Sequence, residues 1–232
     1  MSFTSQDIVK LHDFEIGLDR NAVPLPILRA ILKGWYEGGE VNLIKIFIKP
    51  GDKVIELGAG IGITAMAVAR IVGGENIFPY ELNPYLIEWS GFNFVRNGFD
   101  IHARQVALLP RSQKREETVD FHIHKNFWGS SLLPREGTIE TLAVPTYALE
   151  QSIEDHCANT LLIDIEGAET DLLMQADLSA IQKIIMEIHY GIAGRKKTDD
   201  MIRHLVVSGF SIDLHHSNGS VVALYRDGTL AD

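Results

Sequence analysis

The feature that most constrains this fold is a short apolar run that ends in alternating glycines. The run covers residues 53–57 and follows the turn residues 50–52, and glycines stand at positions 58, 60 and 62. The pattern predicts a buried parallel strand, a glycine turn and then a helix. Glycine lets a backbone approach a ligand, and the first N–H groups of a helix are unpaired. We therefore predict a nucleotide pocket here.

The spacing of these glycines distinguishes between nucleotide classes. A dinucleotide fingerprint has glycines at its first, third and sixth positions, but the sixth position counted from Gly58 is Ile63. Glu56 stands two residues before Gly58, where a carboxylate would repel a pyrophosphate and suit an ammonium group. S-adenosylmethionine (SAM) carries an amine and a sulfonium but no phosphate. We predict SAM as the cofactor in preference to NAD, with a plain tight turn as the structural alternative.

Composition and charge set limits on class and location. The 232 residues suit one α/β domain, and the single cysteine leaves no intrachain disulfide and fits a reducing cytoplasm. The 21 basic and 31 acidic side chains give a net charge of −10, from which we predict that nucleic acid is not a partner. No apolar run approaches the ~18 residues of a membrane-spanning helix, and no signal-peptide core begins the chain. We predict a cytoplasmic protein without a membrane partner.

Strand and helix patterns alternate after the glycine turn. Residues 76–82 and 101–108 are predicted as the second and third strands. Glu81 ends the second strand, where a doubly wound fold places the acid that binds ribose hydroxyls. Residues 105–107 end the third strand, near the expected adenine edge. Such βα units predict a parallel sheet with helices on both faces.

Residues 1–50 are predicted as a helical cap. Apolar spacing indicates helices that begin near Pro24 and Val41. Between them, residues 33–40 are rich in glycine and aromatic side chains. This stretch is expected either to close over the cofactor site or to cover one end of the sheet.

Residues 109–147 are predicted as a β insertion, because residues 118–124 alternate at period two and residues 139–144 also resemble a strand. The connecting loop is small and aromatic, which suits a substrate rim. His122 and His124 share a strand face, but no third ligand stands nearby, and we predict no metal site.

The second informative stretch covers residues 160–169, where an apolar strand ends at Asp164 with Glu166 just beyond. Ligands of open α/β sheets bind outside the carboxyl ends of strands, and a buried carboxylate there needs a donor or a cation. A divalent metal held by Asp164, Glu166 and a neighbour stays open but has no ligand motif. Glu169 lies in the first turn of the next helix, where the helix dipole explains an acid.

Two elements complete the chain. A fifth strand, residues 183–189, ends with Glu187 and His189 on one face. Residues 210–215 and 220–225, joined through an Asn-Gly turn, predict a closing antiparallel hairpin.

Together these stretches resemble the FkbM-type SAM-dependent methyltransferases. Residues 54–62 match the first motif of that family. Asp164-Ile-Glu-Gly-Ala-Glu169 matches its most specific signature, and Glu187-Ile-His189 matches the strand end that follows. Tyr36-Glu37 and Ser130-Ser-Leu132 also look like family features.

The resemblance implies a Rossmann-like class I methyltransferase with a seven-stranded, mostly parallel sheet, an antiparallel last strand and a β insertion after the third strand. It also implies the sites. The methionine end of SAM would contact Glu56, Gly58, Gly60 and Gly62, and the ribose would contact Glu81, Leu82 and Asn83. The adenine side would contact Gln105, Val106 and Ala107, with Asp164 as a further cofactor contact. The acceptor would contact Tyr36, Glu37, Trp128, Ser130 and Ser131.

A hydroxyl acceptor must lose its proton near the transition state, which calls for a general base. His189 is the first candidate because imidazole titrates near neutral pH, followed by Asp164 and Glu166. We predict O-methylation of a hydroxyl on a small molecule, a sugar or a glycan. A homo-oligomeric assembly is compatible with the sequence. N-methyl transfer and a non-catalytic SAM-binding module stay open as alternatives.

Overall fold

The structure is a computed structural model, and it describes residues 3–20, 22–113, 117–125, 129–132, 134 and 136–228. The strands are β1 Asp7–Leu11, β2 Phe14–Leu18, β3 Val54–Leu57, β4 Ile77–Tyr80, β5 Ala107–Leu109, β6 Thr118–His124, β7 Thr138–Ala148, β8 Thr160–Ile163, β9 Lys183–Glu187, β10 Phe210–Asn218 and β11 Val221–Arg226. The α-helices are α1 Leu25–Leu32, α2 Gly38–Phe47, α3 Ile63–Val72, α4 Pro84–Arg96, α5 Leu149–His156, α6 Glu169–Leu173, α7 Tyr190–Ala193 and α8 Arg195–Val207.

A six-stranded sheet in the order β10-β11-β9-β8-β3-β4 forms the centre of the fold. Strands β4, β3, β8 and β9 are parallel, and β11 runs antiparallel to β9. Successive side chains of β3 enter two cores. Val54 packs with apolar residues of α2, α3 and α4, and Ile55 packs with those of α5, α6 and α8. The predicted Rossmann-like, mostly parallel sheet with an antiparallel last strand is therefore observed.

The predicted count of seven strands is wrong for the described part of the sheet. The expected third strand, residues 101–108, contacts β4 through a single isolated bridge between Tyr80 and Arg104. Strand β5 instead pairs in parallel with β7, in a separate sheet of order β5-β7-β6. The insertion thus takes up the backbone groups that would have extended the main sheet. Pro79 consequently lies in edge strand β4, where proline is tolerated.

The N-terminal segment contains a β-hairpin that the prediction of a helical cap did not include. Strands β1 and β2 pair antiparallel around His12 and Asp13, which both have positive φ, at 49° and 66°. Trp89 of α4 donates a hydrogen bond of 2.7 Å from Nε1 to the carbonyl of Gly17 and so anchors the hairpin. Helices α1 and α2 follow near their predicted positions. Alternating apolar residues on either side of a two-residue turn were the signal for this hairpin.

The β insertion lies where the sequence places it. Strands β6 and β7 pair antiparallel, with Val119 opposite Val144, and β7 continues beyond its predicted end to Ala148. Ser131 forms an isolated antiparallel bridge with His122, so residues 129–132 fold back against β6. Among the helices of the described ranges, none combines the length and the apolar character that crossing a membrane requires.

Candidate functional site

A cavity opens at the carboxyl ends of β3, β4 and β8, and it encloses about 910 Å³ of empty space that is partly open to solvent. Its walls come from the glycine turn, the ends of β4 and β8, the segment 106–108, the β insertion and residues 36–37. This is the crevice in which an open α/β sheet binds its ligand. The position therefore agrees with the one that the two sequence motifs predict.

The three glycines of the turn have different surroundings. Gly58 has a φ of +85°, and a Cβ at this position would lie 1.8 Å from the carbonyl oxygen of Asp164. Gly60 has a φ of +53° and lines the cavity, where the nearest atom to an added Cβ is the Tyr36 hydroxyl at 4.0 Å. Gly62 has a φ of +85°, begins α3 against Phe94 and does not line the cavity. The first glycine thus permits strand packing, the second leaves room for a ligand and the third starts the helix.

Glu81 lies at the end of β4 and lines the cavity. Its Oε2 accepts a hydrogen bond of 2.9 Å from the Gly60 N–H, and its Oε1 accepts one of 2.8 Å from the Asn83 N–H. Burial raises the pKa of Glu81, and these amide donors offset part of that rise. Each carboxylate oxygen keeps a second lone pair for a ligand. Glu81 and the neighbouring Leu82 both line the cavity, and their contact with the ribose stays a prediction.

Four of the predicted cofactor residues do not line the cavity: Glu56, Gly62, Asn83 and Gln105. Asn83 instead caps α4 by accepting a hydrogen bond of 3.1 Å from the Tyr85 N–H, and Gln105 donates one of 3.0 Å to the Leu82 carbonyl. The side chains of Asn83 and Gln105 thus form hydrogen bonds with the backbone next to the cavity wall. Val106 and Ala107, by contrast, line the cavity as predicted.

Glu56 of β3 is buried and does not line the pocket. The residue is 1% exposed, and the side chain of Thr64, beside its carboxyl group, offsets only part of the effect of burial. Burial raises the pKa of Glu56 to about 8, so the group is mainly uncharged at pH 7. Glu56 does not line the cavity, although it lies near enough to interact electrostatically with Glu37 and Glu81, which do. Its contact with the methionine end of SAM stays a prediction.

The predicted catalytic residues meet at the ends of β8 and β9. Asp164 and Glu166 line the cavity, and His189 lies behind them without lining it. The Nε2 atom of His189 is 3.4 Å from Oδ1 of Asp164 and 3.9 Å from Oε1 of Glu166. On the other side of the ring, Nδ1 is 3.4 Å from Oε1 of Glu169, which is fully buried. Sequence reasoning explained Glu169 by the helix dipole alone, and its contact with His189 depends on the tertiary fold.

The surroundings of His189 do not favour it as the first choice of general base. Burial alone would lower its pKa, but the contacts with Glu169, Asp164 and Glu166 outweigh burial and raise the pKa to about 9. The imidazole of the free protein therefore holds a proton at neutral pH. The ring also does not line the cavity, so it is less well placed than a carboxyl group of the cavity wall to take the proton of a hydroxyl.

Two other carboxyl groups of the cavity have raised pKa values. Burial, followed by the charges of Glu37 and Glu187, raises the pKa of Asp164 well above its usual range. Glu37 precedes α2 in a left-handed conformation with a φ of +56°. Burial, followed by the charge of Glu40, raises the pKa of Glu37 to about 8. Glu37 therefore changes its charge closer to neutral pH than an ordinary glutamate does.

The predicted acceptor residues Tyr36, Glu37, Ser130 and Ser131 all line the cavity. His12 of the N-terminal hairpin donates from Nε2 to the Tyr36 carbonyl over 2.7 Å and so fixes this segment. Trp128 lies outside the described residues. The insertion also supplies Phe121 and Leu132, which line the cavity and were not predicted. The alternating pattern of β6 was the signal that could have identified Phe121.

The family of the chain follows from a comparison of its sequence with known domains. The sequence profile of the methyltransferase FkbM domain matches residues 56–212, which is more than half of the chain. The chain belongs to the FkbM methyltransferase family. This result confirms the predicted family and, with it, SAM as the cofactor. The matched range contains the three glycines of the first motif, the whole second motif and most residues that line the cavity.

Solved structures similar to this FkbM-family chain are class I methyltransferases. Trm5 of Methanocaldococcus jannaschii, solved with adenosine, has a TM-score of 0.50 and 13% identity, covering 95% of this chain and 54% of that one. The precorrin-6y C5,15-methyltransferase of Geobacter metallireducens has a TM-score of 0.48 and 12% identity, covering 91% of this chain and 98% of that one. At these identities the likeness shows the fold alone.

One prediction about partners is wrong. The negative net charge led to the exclusion of nucleic acid as a partner. The similar solved structures, however, include a tRNA m1G37 methyltransferase of M. jannaschii. Its identity to this chain is 13%, its TM-score is 0.49, and the match covers 94% of this chain and 56% of that one. Net charge averages over the whole surface, so it does not exclude a local contact with nucleic acid. What that enzyme methylates is a property of that enzyme and is not transferred to this FkbM-family chain.

The curated relatives that match in sequence do so over a short segment. One of them, a component of the NADH-quinone oxidoreductase of Ralstonia nicotianae, is 34% identical over 55 residues, which are 24% of this chain and 46% of that protein. The chain thus spans less than half the length of the curated relatives it matches. From so short a match, no activity of that protein is inferred for the FkbM-family chain.

Proposed function

We propose that the protein transfers the methyl group of SAM to a hydroxyl group of a small molecule or of a sugar or glycan. In this reaction the bond between sulfur and the methyl carbon breaks as the acceptor oxygen forms its bond to that carbon. S-adenosylhomocysteine leaves, and the hydroxyl proton passes to a base. Because the displacement is in-line, the protein contributes mainly by positioning the two reactants and excluding water.

The observation that carries this proposal is the convergence of two groups of side chains on one cavity. Gly60 and Glu81, which are tied to each other, line the part assigned to the cofactor. Glu37, Ser130 and Ser131 line the part assigned to the acceptor. This convergence supports the binding of a nucleoside and an acceptor side by side in one cavity.

A titrating carboxyl group supports a hydroxyl acceptor over an amine. A neutral amine already presents a lone pair, whereas a hydroxyl must lose its proton as the new bond forms. We assign Glu37 as the proton acceptor because, unlike His189, it lines the cavity. With a pKa of about 8 it accepts a proton only in its ionised form, whose fraction grows as pH rises toward 8. His189, Asp164 and Glu166 then serve to position the acceptor.

Calorimetry with S-adenosylhomocysteine tests the cofactor site, with NAD⁺ as the comparison ligand. We expect saturable binding of S-adenosylhomocysteine and none of NAD⁺; a folded chain that binds neither would reject the proposal. Incubation with SAM and a panel of sugars, phenols, aliphatic alcohols and amines then tests the reaction. Mass spectrometry should detect a gain of one methylene on a hydroxyl compound, and fragmentation identifies the methylated atom. Methylation confined to amines would contradict the assignment to O-methyl transfer.

A further inference from the structure

We propose that Asp164, Glu166 and His189 form a binding site for one divalent transition-metal ion at the wall of the cavity. One carboxylate oxygen from each acid and one imidazole nitrogen all lie within 4.8 Å of one another. Asp164 and Glu166 line the cavity, so an ion bound here could reach a ligand inside it. The ligands come from two strand ends, which explains why no local sequence motif predicts the site.

The buried carboxylate of Glu169 orients the histidine. Its Oε2 accepts a hydrogen bond of 2.7 Å from the Gly167 N–H, and its Oε1 accepts one of 3.1 Å from the His189 N–H. The same Oε1 lies 3.4 Å from Nδ1 of the ring, which is an ion-pair distance, although Nδ1 makes no hydrogen bond in this structure. With Glu169 on the Nδ1 side, Nε2 lies on the side of Asp164 and Glu166. Histidine ligands in metalloproteins commonly have a carboxylate at the other ring nitrogen, which fixes the tautomer and the orientation.

The distances favour an ion over a direct hydrogen bond. Oδ1 of Asp164 is buried and accepts no hydrogen bond, although Nε2 of His189 is only 3.4 Å away. A charge-assisted hydrogen bond between such atoms is shorter, about 2.7–2.9 Å. Two ligand atoms that share one cation at bond lengths of about 2.0–2.2 Å stand roughly 3 Å apart. A cation between the two atoms would satisfy the buried oxygen that otherwise has no partner.

The local charge also favours a cation. Besides Asp164 and Glu166, Oε2 of Glu187 lies 4.0 Å from Nε2 of His189. Three carboxyl groups thus lie around one nitrogen. A bound divalent cation would take the place of the proton that His189 holds in the free protein and would favour the ionised form of the acids. One imidazole combined with carboxylate oxygens suits Mn²⁺ or Zn²⁺ better than an all-oxygen ion such as Ca²⁺.

The role of such an ion rests on the proposed function. A metal beside the acceptor would coordinate its hydroxyl oxygen and lower the pKa of that hydroxyl, which makes transfer of the proton to Glu37 easier. The existence of the site does not rest on that function, because the metal alone can be tested for binding.

The experiment uses the full chain, treated with a chelator and then titrated with Mn²⁺ while free Mn²⁺ is followed by electron paramagnetic resonance. We expect one saturable ion per chain and a coupling to a histidine nitrogen in pulsed spectra. The variants Glu166→Gln and His189→Gln should each weaken binding at least tenfold, and His189→Gln should also lose the nitrogen coupling. The control is His102→Gln, since His102 lies 3.3 Å from Asp100 on the surface and outside the cluster.

Absence of saturable Mn²⁺ binding would overturn the proposal, as would binding that neither cluster variant changes. Because a variant could unfold, circular dichroism is recorded for each, and the nitrogen coupling in the unaltered chain with ¹⁵N-labelled histidine gives an independent answer. Calorimetry with S-adenosylhomocysteine separates the two proposals. A chain that binds S-adenosylhomocysteine but no metal refutes the metal site alone.

Discussion

The carboxylate of Glu81 accepts a hydrogen bond of 2.9 Å from the backbone N–H of Gly60. This bond ties the acid at the end of β4 to the glycine turn after β3. The bond thus connects the two predicted halves of the cofactor site, and both residues line the same cavity.

Replacement of Glu81 tests the ribose assignment. The Glu81→Ala variant should bind S-adenosylhomocysteine about 10- to 100-fold more weakly, because hydrogen bonds to a charged acceptor are lost. Calorimetry measures the affinity, and Glu75→Ala, outside the cavity before the same strand, is the matched control. Because Glu81 also supports the turn, adenine is titrated as well. An equal loss of affinity for adenine, which lacks the ribose, would indicate a disordered turn rather than a lost ribose contact.

Glu37 gives a prediction about pH. Since its pKa is about 8, the rate constant kcat should rise with pH and level off above about pH 8, as the carboxyl group ionises. Glu37→Gln should lower kcat about 100-fold or more and abolish the rise. Rate measurements between roughly pH 6 and roughly pH 9, an interval that brackets this ionisation, check both expectations.

The neighbouring Glu40 provides the matched control for this assignment. It is buried in α2 and does not line the cavity, but its charge contributes to the raised pKa of Glu37. Glu40→Gln should therefore move the rising part of the profile to lower pH and leave the upper plateau unchanged. A profile of Glu37→Gln that still rises like that of the unaltered chain would eliminate Glu37 as the base.

Two glycine substitutions should separate stability from binding. Gly58→Ala places a Cβ 1.8 Å from a backbone oxygen at a φ of +85°, so it should lower the free energy of unfolding by about 3 kcal/mol or more. Gly60→Ala meets no atom closer than 4.0 Å and should cost only about 1–2 kcal/mol. Its methyl group would nevertheless stand in the cavity and weaken S-adenosylhomocysteine binding. Both variants are measured by denaturant unfolding and by calorimetry. Equal losses of stability and equal losses of affinity in the two variants would contradict this account.

Glu56 gives a prediction about stability and pH. Its pKa is about 8 in the folded chain against an ordinary value of 4.5, so the folded state favours the protonated form. The resulting stability is fully present below about pH 4.5 and is lost as pH rises toward 8. In Glu56→Gln the side chain cannot ionise.

Unfolding free energies of Glu56→Gln, measured by urea titration at several pH values, should therefore fall less steeply with pH between 4.5 and 8 than those of the unaltered chain. The difference in slope should approach about 1.4 kcal/mol per pH unit. Glu140→Gln, at an exposed position of β7, is the control and should leave the slope unchanged. Identical slopes for Glu56→Gln and the control would show that the group is ionised in the folded chain.

The sequence by itself determined the parts of this protein that depend on local pattern. The strand, glycine turn and helix around Gly58 follow from neighbouring residues, as do the insertion hairpin and the closing hairpin. The location of Glu81 also follows, because a doubly wound sheet brings the carboxyl ends of its parallel strands to one edge. The family signature that begins at Asp164 is equally local.

Only the tertiary structure decided how distant segments compete and converge. The expected third strand is drawn to β7, because two partners compete for its backbone groups and sequence pattern does not rank them. Glu56 is buried and does not line the cavity, although its motif position suggested that it would. His189 meets Asp164 and the buried Glu169 only because β8 and β9 are adjacent. Burial and neighbouring charge set the pKa of each group, and both depend on the folded arrangement rather than on the order of residues.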